Sequence, residues 1–246
     1  MGVDRFYCPD LRIGQTAWLD GDEARHLARV RRVAVGAEVE VFDGRGLAAV
    51  AAVVLVGRDR VELMPKARLV GLPPARVELT LATAIPKGDR FDWLIEKATE
   101  LGVTRVVPLI TARSTVDPRS TKLDRLRRSV VEACKQSRRD TLMTLEDPVE
   151  WGRWVGRGNP SIDHRWVAHP GGSAAWTRRK LADGDQVVVA IGPEGGFAEE
   201  EVDLAQAAGW STIALTSTIL RVETAGMAAA ACILIGSNRL DSATPD

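Results

Sequence analysis

Little in this 246-residue chain belongs to the disulfide-bonded, metal-binding or membrane repertoire. It holds three cysteines, Cys8, Cys134 and Cys232, far apart and odd in number. They offer neither a disulfide framework nor the paired spacing of a zinc site. The three histidines, His26, His164 and His169, are equally scattered, so no metal is expected. The longest apolar stretch, Ala225 to Ile235, is too short to span a bilayer, and no apolar h-region opens the chain. Basic and acidic residues number 33 each, which argues against a general nucleic-acid coat while leaving local patches open. A cytoplasmic enzyme or binding protein with no membrane partner is the expectation.

What is present is an ordinary globular composition, 45% hydrophobic and 27% charged, arranged in two styles. Residues 1 to about 72 read as short strands. Val39–Phe42, the turn Asp43-Gly44-Arg45-Gly46 and Leu47–Val54 form a hairpin signal, and Val61–Met64 alternates again. One short helix is expected at Glu23 to Arg29, and the whole as a small β-barrel-like module. Gly71-Leu72-Pro73-Pro74 reads as a stiff linker. From residue 76 onward, strands at Val77–Ala84, Val103–Ile110, Arg165–Pro170, Gln186–Ile191 and Thr212–Leu215 alternate with helices at Asp89–Leu101, Lys122–Ser137, Glu199–Ala208 and Thr224–Ile235. That alternation predicts an α/β fold with a parallel sheet. There is no internal repeat.

Two segments carry the chemistry. Ala190-Ile191-Gly192-Pro193-Glu194-Gly195-Gly196-Phe197 is an apolar strand that breaks into small residues, leaving backbone N–H and C=O groups uncovered. Leu220-Arg221-Val222-Glu223-Thr224-Ala225-Gly226 leads from polar residues into an Ala-rich helix. Strand ends of this kind build the ligand crevice of an α/β sheet. The first loop is not a G-x-G-x-x-G fingerprint, and the chain has no G-x-x-x-x-G-K-S/T or G-x-S-x-G run. Dinucleotide hydride transfer, nucleotide hydrolysis and serine hydrolysis lose support.

Across nearly its whole length the chain resembles the SPOUT methyltransferases. Within them it is similar to the RsmE family, which methylates N3 of a uridine in 16S ribosomal RNA of the small subunit. The resemblance is carried by Arg5-Phe6-Tyr7, His26–Arg32, Pro86-Lys87-Gly88-Asp89-Arg90 through Leu101-Gly102-Val103, Glu132–Arg139, Ile191–Phe197 and Leu220–Ala225. It implies a PUA-like RNA-binding β-barrel over 1–72 and a SPOUT trefoil-knot domain over 76–246. A homodimer and the cofactor S-adenosyl-L-methionine are also implied. Carried onto this chain, the cofactor loops comprise Ala168 and His169; Ile191, Gly192, Pro193, Gly195 and Gly196; and Leu215, Ile219, Leu220, Thr224 and Ala225. Arg221 and Arg138 would place positive charge beside the uracil oxygens, and Glu194 or Glu223 would accept the N3 proton. Family members usually read Gly-Pro-Arg where this chain has Thr216-Ser217-Thr218, so that turn has no role by analogy.

Between Arg113 and Arg139, nine basic residues face three acidic ones, and Arg125, Arg128, Lys135 and Arg139 recur at helical spacing. Arg25, Arg29, Arg31 and Arg32 form a second cluster, and Arg5 belongs to the first motif. Together they are the expected RNA surface. The Trp151–Trp166 stretch reads as packing around a loop or, less simply, as a base-stacking site. Two other readings remain: a SPOUT enzyme with another RNA target, and an RNA-binding ribosome-assembly factor whose pocket no longer turns over.

Overall fold

The hairpin of the first module forms where the turn chemistry places it. In the computed structural model, β3 (Glu38–Phe42) pairs antiparallel with β4 (Ala48–Val56). Asp43 Oδ1 closes the turn by accepting from the N–H groups of Arg45 (2.7 Å) and Leu47 (3.0 Å). The structure describes residues 3–71, 75–116, 120–157, 161–174, 176 and 180–237. The Leu72–Pro74 part of the expected linker and the last nine residues lie outside them.

The chain divides into two units, Met1–Pro73 with Val131–Leu142, and Pro74–Val130 with Met143–Asp246. In the first, β1 (Arg5–Tyr7), β2 (Ala17–Asp20), β3, β4 and β5 (Arg60–Arg68) form a sheet in the order β1-β3-β4-β5-β2. Only the β1–β3 pairing is parallel. Alternate residues turn inward, so Phe6, Leu19, Val41, Val53 and Leu63 share one core with Leu27. The expected helix starts earlier and changes character: α1 (Gly21–Arg25) runs into a π-helical turn, His26–Arg31. Val33 N–H closes that turn on Leu27 C=O, and Arg32 ends it in the left-handed region at φ 52°. The wider winding buries Leu27 and leaves Val30 exposed.

The second unit is a parallel sheet. Its strands are β6 (Glu78–Ala84), β7 (Arg105–Ile110), β8 (Thr144–Leu145), β9 (Val149–Glu150), β10 (His164–Ser173), β11 (Gln186–Ile191) and β12 (Ser211–Ile213). They run in the order β12-β10-β11-β6-β7-β8, with β9 also on β7. Val187 to Ile191 are buried on both faces, as a central parallel strand requires. The helices are α2 (Arg90–Leu101), α3 (Ser120–Ser137), α4 (Trp151–Gly156), α5 (Glu199–Ala207) and α6 (Val222–Ser237). On one sheet face α6 packs against α2 and β6. Gly226 allows this: a Cβ there would stand 3.3 Å from Leu81 and 3.5 Å from Leu94. Gly102, at φ 95°, stops α2 in the left-handed conformation. The opposite face carries a tryptophan cluster. Trp151, on the short α4 that periodicity did not reveal, lies 4.7 Å from Phe197 and 5.6 Å from Trp210. Its Nε1–H donates to Glu201 C=O at 3.0 Å. Trp151 and Trp166 are therefore core, while Trp154 is half-buried beside them.

Candidate active site

Three loops meet at the carboxyl ends of neighbouring strands. After β11 the chain turns through Gly192–Gly196, with Gly196 N–H donating to Pro193 C=O at 2.8 Å and Gly196 itself at φ 69°. Gly192 is tightly enclosed: a Cβ there would stand 3.0 Å from the backbone N and ring of Phe197, which would have to give way. Phe197 is held from below by Trp151. At the end of β10 the ladder to β12 shifts register between Ala168 and Ser173. That irregularity lifts His169 and Pro170 out of the sheet, and His169 Nδ1 accepts from Gly171 N–H at 3.1 Å. The third loop leaves β12 and is pinned at Ala214, whose N–H reaches Ser173 C=O (3.1 Å) and whose C=O accepts from Trp176 Nε1 (2.8 Å).

Between these loops lies a crevice of about 340 Å³. Ala168, His169, Ile191, Gly192, Pro193, Gly195, Gly196, Leu215, Ile219, Leu220 and Ala225 all line it. Thr224 does not, because α6 begins at Val222 and its helical phase turns Val222 and Ala225 inward instead. Sequence reasoning missed Thr216 and Thr218 as lining residues. Thr216 Oγ1 accepts from Thr218 N–H at 3.4 Å, a hydroxyl-closed turn. Ile219 is 91% exposed at the mouth.

Beside the crevice is a recess of about 420 Å³ whose lining includes Lys87, Arg90, Arg113, Glu194 and Arg221. Two predicted acids converge there on a cation sequence reasoning had left without a role. Arg90 stands 3.4 Å from Glu194 Oε1 and 3.8 Å from Glu223 Oε1. Glu223, in the first turn of α6, keeps its Oε2 buried with no hydrogen-bond partner. The signal for Arg90 and Lys87 was their place directly after the carboxyl end of β6. Arg138 lies in the first unit, at φ 60°, bonded to Glu40 at 3.0 Å.

Most of the expected RNA-surface cations are already engaged. Arg5 is buried on Asp140, and Lys135, 8% exposed, holds Glu23 at 2.8 Å and Glu132 at 3.0 Å. Arg25 pairs with Asp22, Arg31 with Asp4, and Arg125 with Asp92 at 2.6 Å. Arg139 is substantially buried, and desolvation pulls its guanidinium down. Arg29, Arg32 and Arg128 are exposed and make no ion pair among the described residues. Glu23, His26 and Glu132 come close enough to suggest metal ligands, but the Lys135 ammonium sits among them, 3.3 Å from His26 Nδ1.

A larger cavity, about 820 Å³, opens at the amino ends of the strands, where Glu78, Arg105 and Gln186 begin. Parallel sheets bind ligands at the other end, and the carboxyl-end crevice is where glycine and paired acids meet. No helix among the described residues is long and apolar enough to cross a membrane.

A crevice of bare loops at the carboxyl end of a parallel sheet, with an acid–arginine cluster beside it, is the ligand-site arrangement of an α/β-class protein. Residues 73–234 match the RNA methyltransferase domain, and residues 19–64 the RNA methyltransferase PUA domain. The ribosomal RNA small subunit methyltransferase E of Synechocystis is 33% identical over 92% of this chain and 75% of its own length. The crystal structure of the same-named enzyme from Neisseria gonorrhoeae, bound to S-adenosyl methionine, superposes with TM-score 0.86 at 30% identity. The match covers 94% of this chain and 97% of that one. A Legionella pneumophila methyltransferase in complex with the same cofactor gives TM-score 0.87 at 27% identity, over 96% and 98% of the two chains. The chain belongs to the RNA methyltransferase family, in the group of ribosomal RNA small subunit methyltransferases E.

Proposed function

We propose that the protein methylates N3 of a uridine in 16S ribosomal RNA, with S-adenosyl-L-methionine as donor. The observation that carries this reading is the shared wall between the three-loop crevice and the recess holding Arg221 and Glu194. The crevice fits the donor: Gly192 excludes any side chain from its floor, and Leu215, Ile219 and Leu220 offer apolar walls for a purine ring. When bound, the donor supplies an electrophilic methyl on sulfonium.

The chain's own residues must then make a poor nucleophile competent. Uracil N3 holds its proton at neutral pH, so an acceptor is required. Glu194, which lines both crevice and recess, or Glu223, whose Oε1 lies 3.8 Å from Arg90, takes that role. Arg221, exposed at the start of α6, stabilises charge growing on the uracil oxygens. Glu194 completes the proposed set, acting through Arg90. The first unit grips RNA through cations such as Arg29 and Arg32. The catalytic unit is threaded as a trefoil knot, and the working form is a cytoplasmic homodimer. Trp93 on α2 and Ile235 on α6, both exposed, support a second copy packing there.

The test is mass spectrometry of nucleosides from small-subunit RNA of a deletion strain. Loss of 3-methyluridine, restored by the wild-type gene, is expected; its persistence removes the reading.

A further inference from the structure

We propose that the recess beside the crevice is a phosphodiester receptor, holding a phosphate of the nucleotide presented for modification; this rests on the RNA-methylation reading. Its wall carries four cations, Lys87, Arg90, Arg113 and Arg221, against one carboxylate, Glu194, in a chain whose net charge is zero. Four loops contribute, so the concentration of charge is a product of the fold and not of one basic run. Gly88, at φ 69°, turns the segment after β6, and Arg90 Nε donates to Lys87 C=O at 3.0 Å, which brings both side chains to the same recess.

The cations are not equally occupied. Arg90 is shared between Glu194 and Glu223. Arg113 donates Nη1 to Gly195 C=O at 2.7 Å, which fixes its fork without neutralising it. Lys87 and Arg221 make no ion pair or side-chain hydrogen bond among the described residues. Like charges gathered in one concavity raise each other's energy unless an anion joins them. The hydroxyl of Thr115 adds a neutral donor at the rim. A recess with three planar guanidinium groups, one of them shared with acids, an ammonium and a hydroxyl suits a tetrahedral, singly or doubly charged oxyanion. A phosphate anchored here would set the attached nucleoside at the wall the recess shares with the crevice, beside Glu194 and Gly195, so the same contact that binds RNA would also present the base.

One other anion could claim these cations, the carboxylate of the methyl donor itself. Lys87 separates the two, because it lines the recess and not the crevice. Calorimetry with uridine 3′,5′-bisphosphate and with uridine, in the presence and absence of S-adenosylhomocysteine, is the test. The bisphosphate is expected to bind roughly tenfold or more tightly than uridine at low salt, with the difference shrinking as salt rises. Lys87→Glu should erase that preference, Lys87→Arg should keep it, and donor affinity should stay within about twofold in both. Equal affinity for the two nucleosides, no bisphosphate binding at millimolar concentration, or loss of donor binding in Lys87→Glu would each overturn the assignment. If the wild-type protein binds no donor but keeps the phosphate preference, the methylation reading fails and the receptor stands.

Discussion

In the first unit Arg5 lies against Asp140, Lys135 between Glu23 and Glu132, Arg138 on Glu40 and Arg31 on Asp4. In the second, among the described residues, Lys87 and Arg221 line a recess with no acid engaging either, and Arg113 is bound to a main-chain oxygen. The contrast is between these two sets of side chains and not between whole units, since Arg125 of the second unit pairs with Asp92 while Arg29 and Arg32 of the first make no ion pair among the described residues. Pairing turns cations into cross-links, and the absence of pairing leaves a field that a ligand can neutralise. Counting basic residues along a chain cannot tell these apart, since both kinds of region look alike before the acids are placed.

The contrast can be broken most forcefully at Asp140. Asp140→Ala strands the Arg5 guanidinium in a site where only 8% of its side chain is exposed. A loss of about 3–5 kcal/mol in unfolding free energy is expected by denaturant titration, with the donor affinity of the folded protein unchanged. Arg221→Ala should do the reverse. Single-turnover methylation is expected to fall by about 100–1,000-fold while the melting temperature holds, since Arg221 supports no neighbour. A variant that melts early but turns over normally would place Arg221 with the cross-links. Gly192→Val tests the crevice itself. The added methyls meet Phe197, so donor affinity should drop by roughly tenfold or more in calorimetry, along with about 1–3 kcal/mol of stability.

The smallest effect expected is at Cys8, where burial pushes the thiol up to about 11 from 9.0. The folded state favours the protonated form, so this contribution to stability is intact below pH 9 and declines as pH rises toward 11. Thiol labelling at pH 8.5 should modify exposed Cys232 well before Cys8. Equal rates would mean the first core is far looser than its burial indicates.

The parallel sheet was legible because strand and helix periods alternate from Val77 onward, and α2 was legible down to its stop at Gly102. The three-residue β1 and the two-residue β8 and β9 were not, because such short strands exist only through distant partners. The crevice could be read because each of its loops is a short local segment at a strand end, the middle one rich in glycine. Thr224 falls outside the crevice lining for a local reason: the helix starts two residues earlier than its apolar run suggests, and Val222 and Ala225 face inward instead. Arg90 stood in plain view, yet its meeting with Glu194 and Glu223 needs chain segments more than a hundred residues apart to converge. The ion pairs of the first unit hide in the same way, Lys135 finding Glu23 across 112 positions.

The packing of Phe197 on Trp151, close beside Gly192, ties the shape of the Gly192–Gly196 loop to a hydrophobic cluster beneath it. Folding therefore settles the loop's conformation in advance, and an arriving molecule need not immobilise a floppy segment. Selection for warmer or colder habitats should leave those aromatic rings alone and tune the threonine turn at 216–218 instead, where the rim faces water.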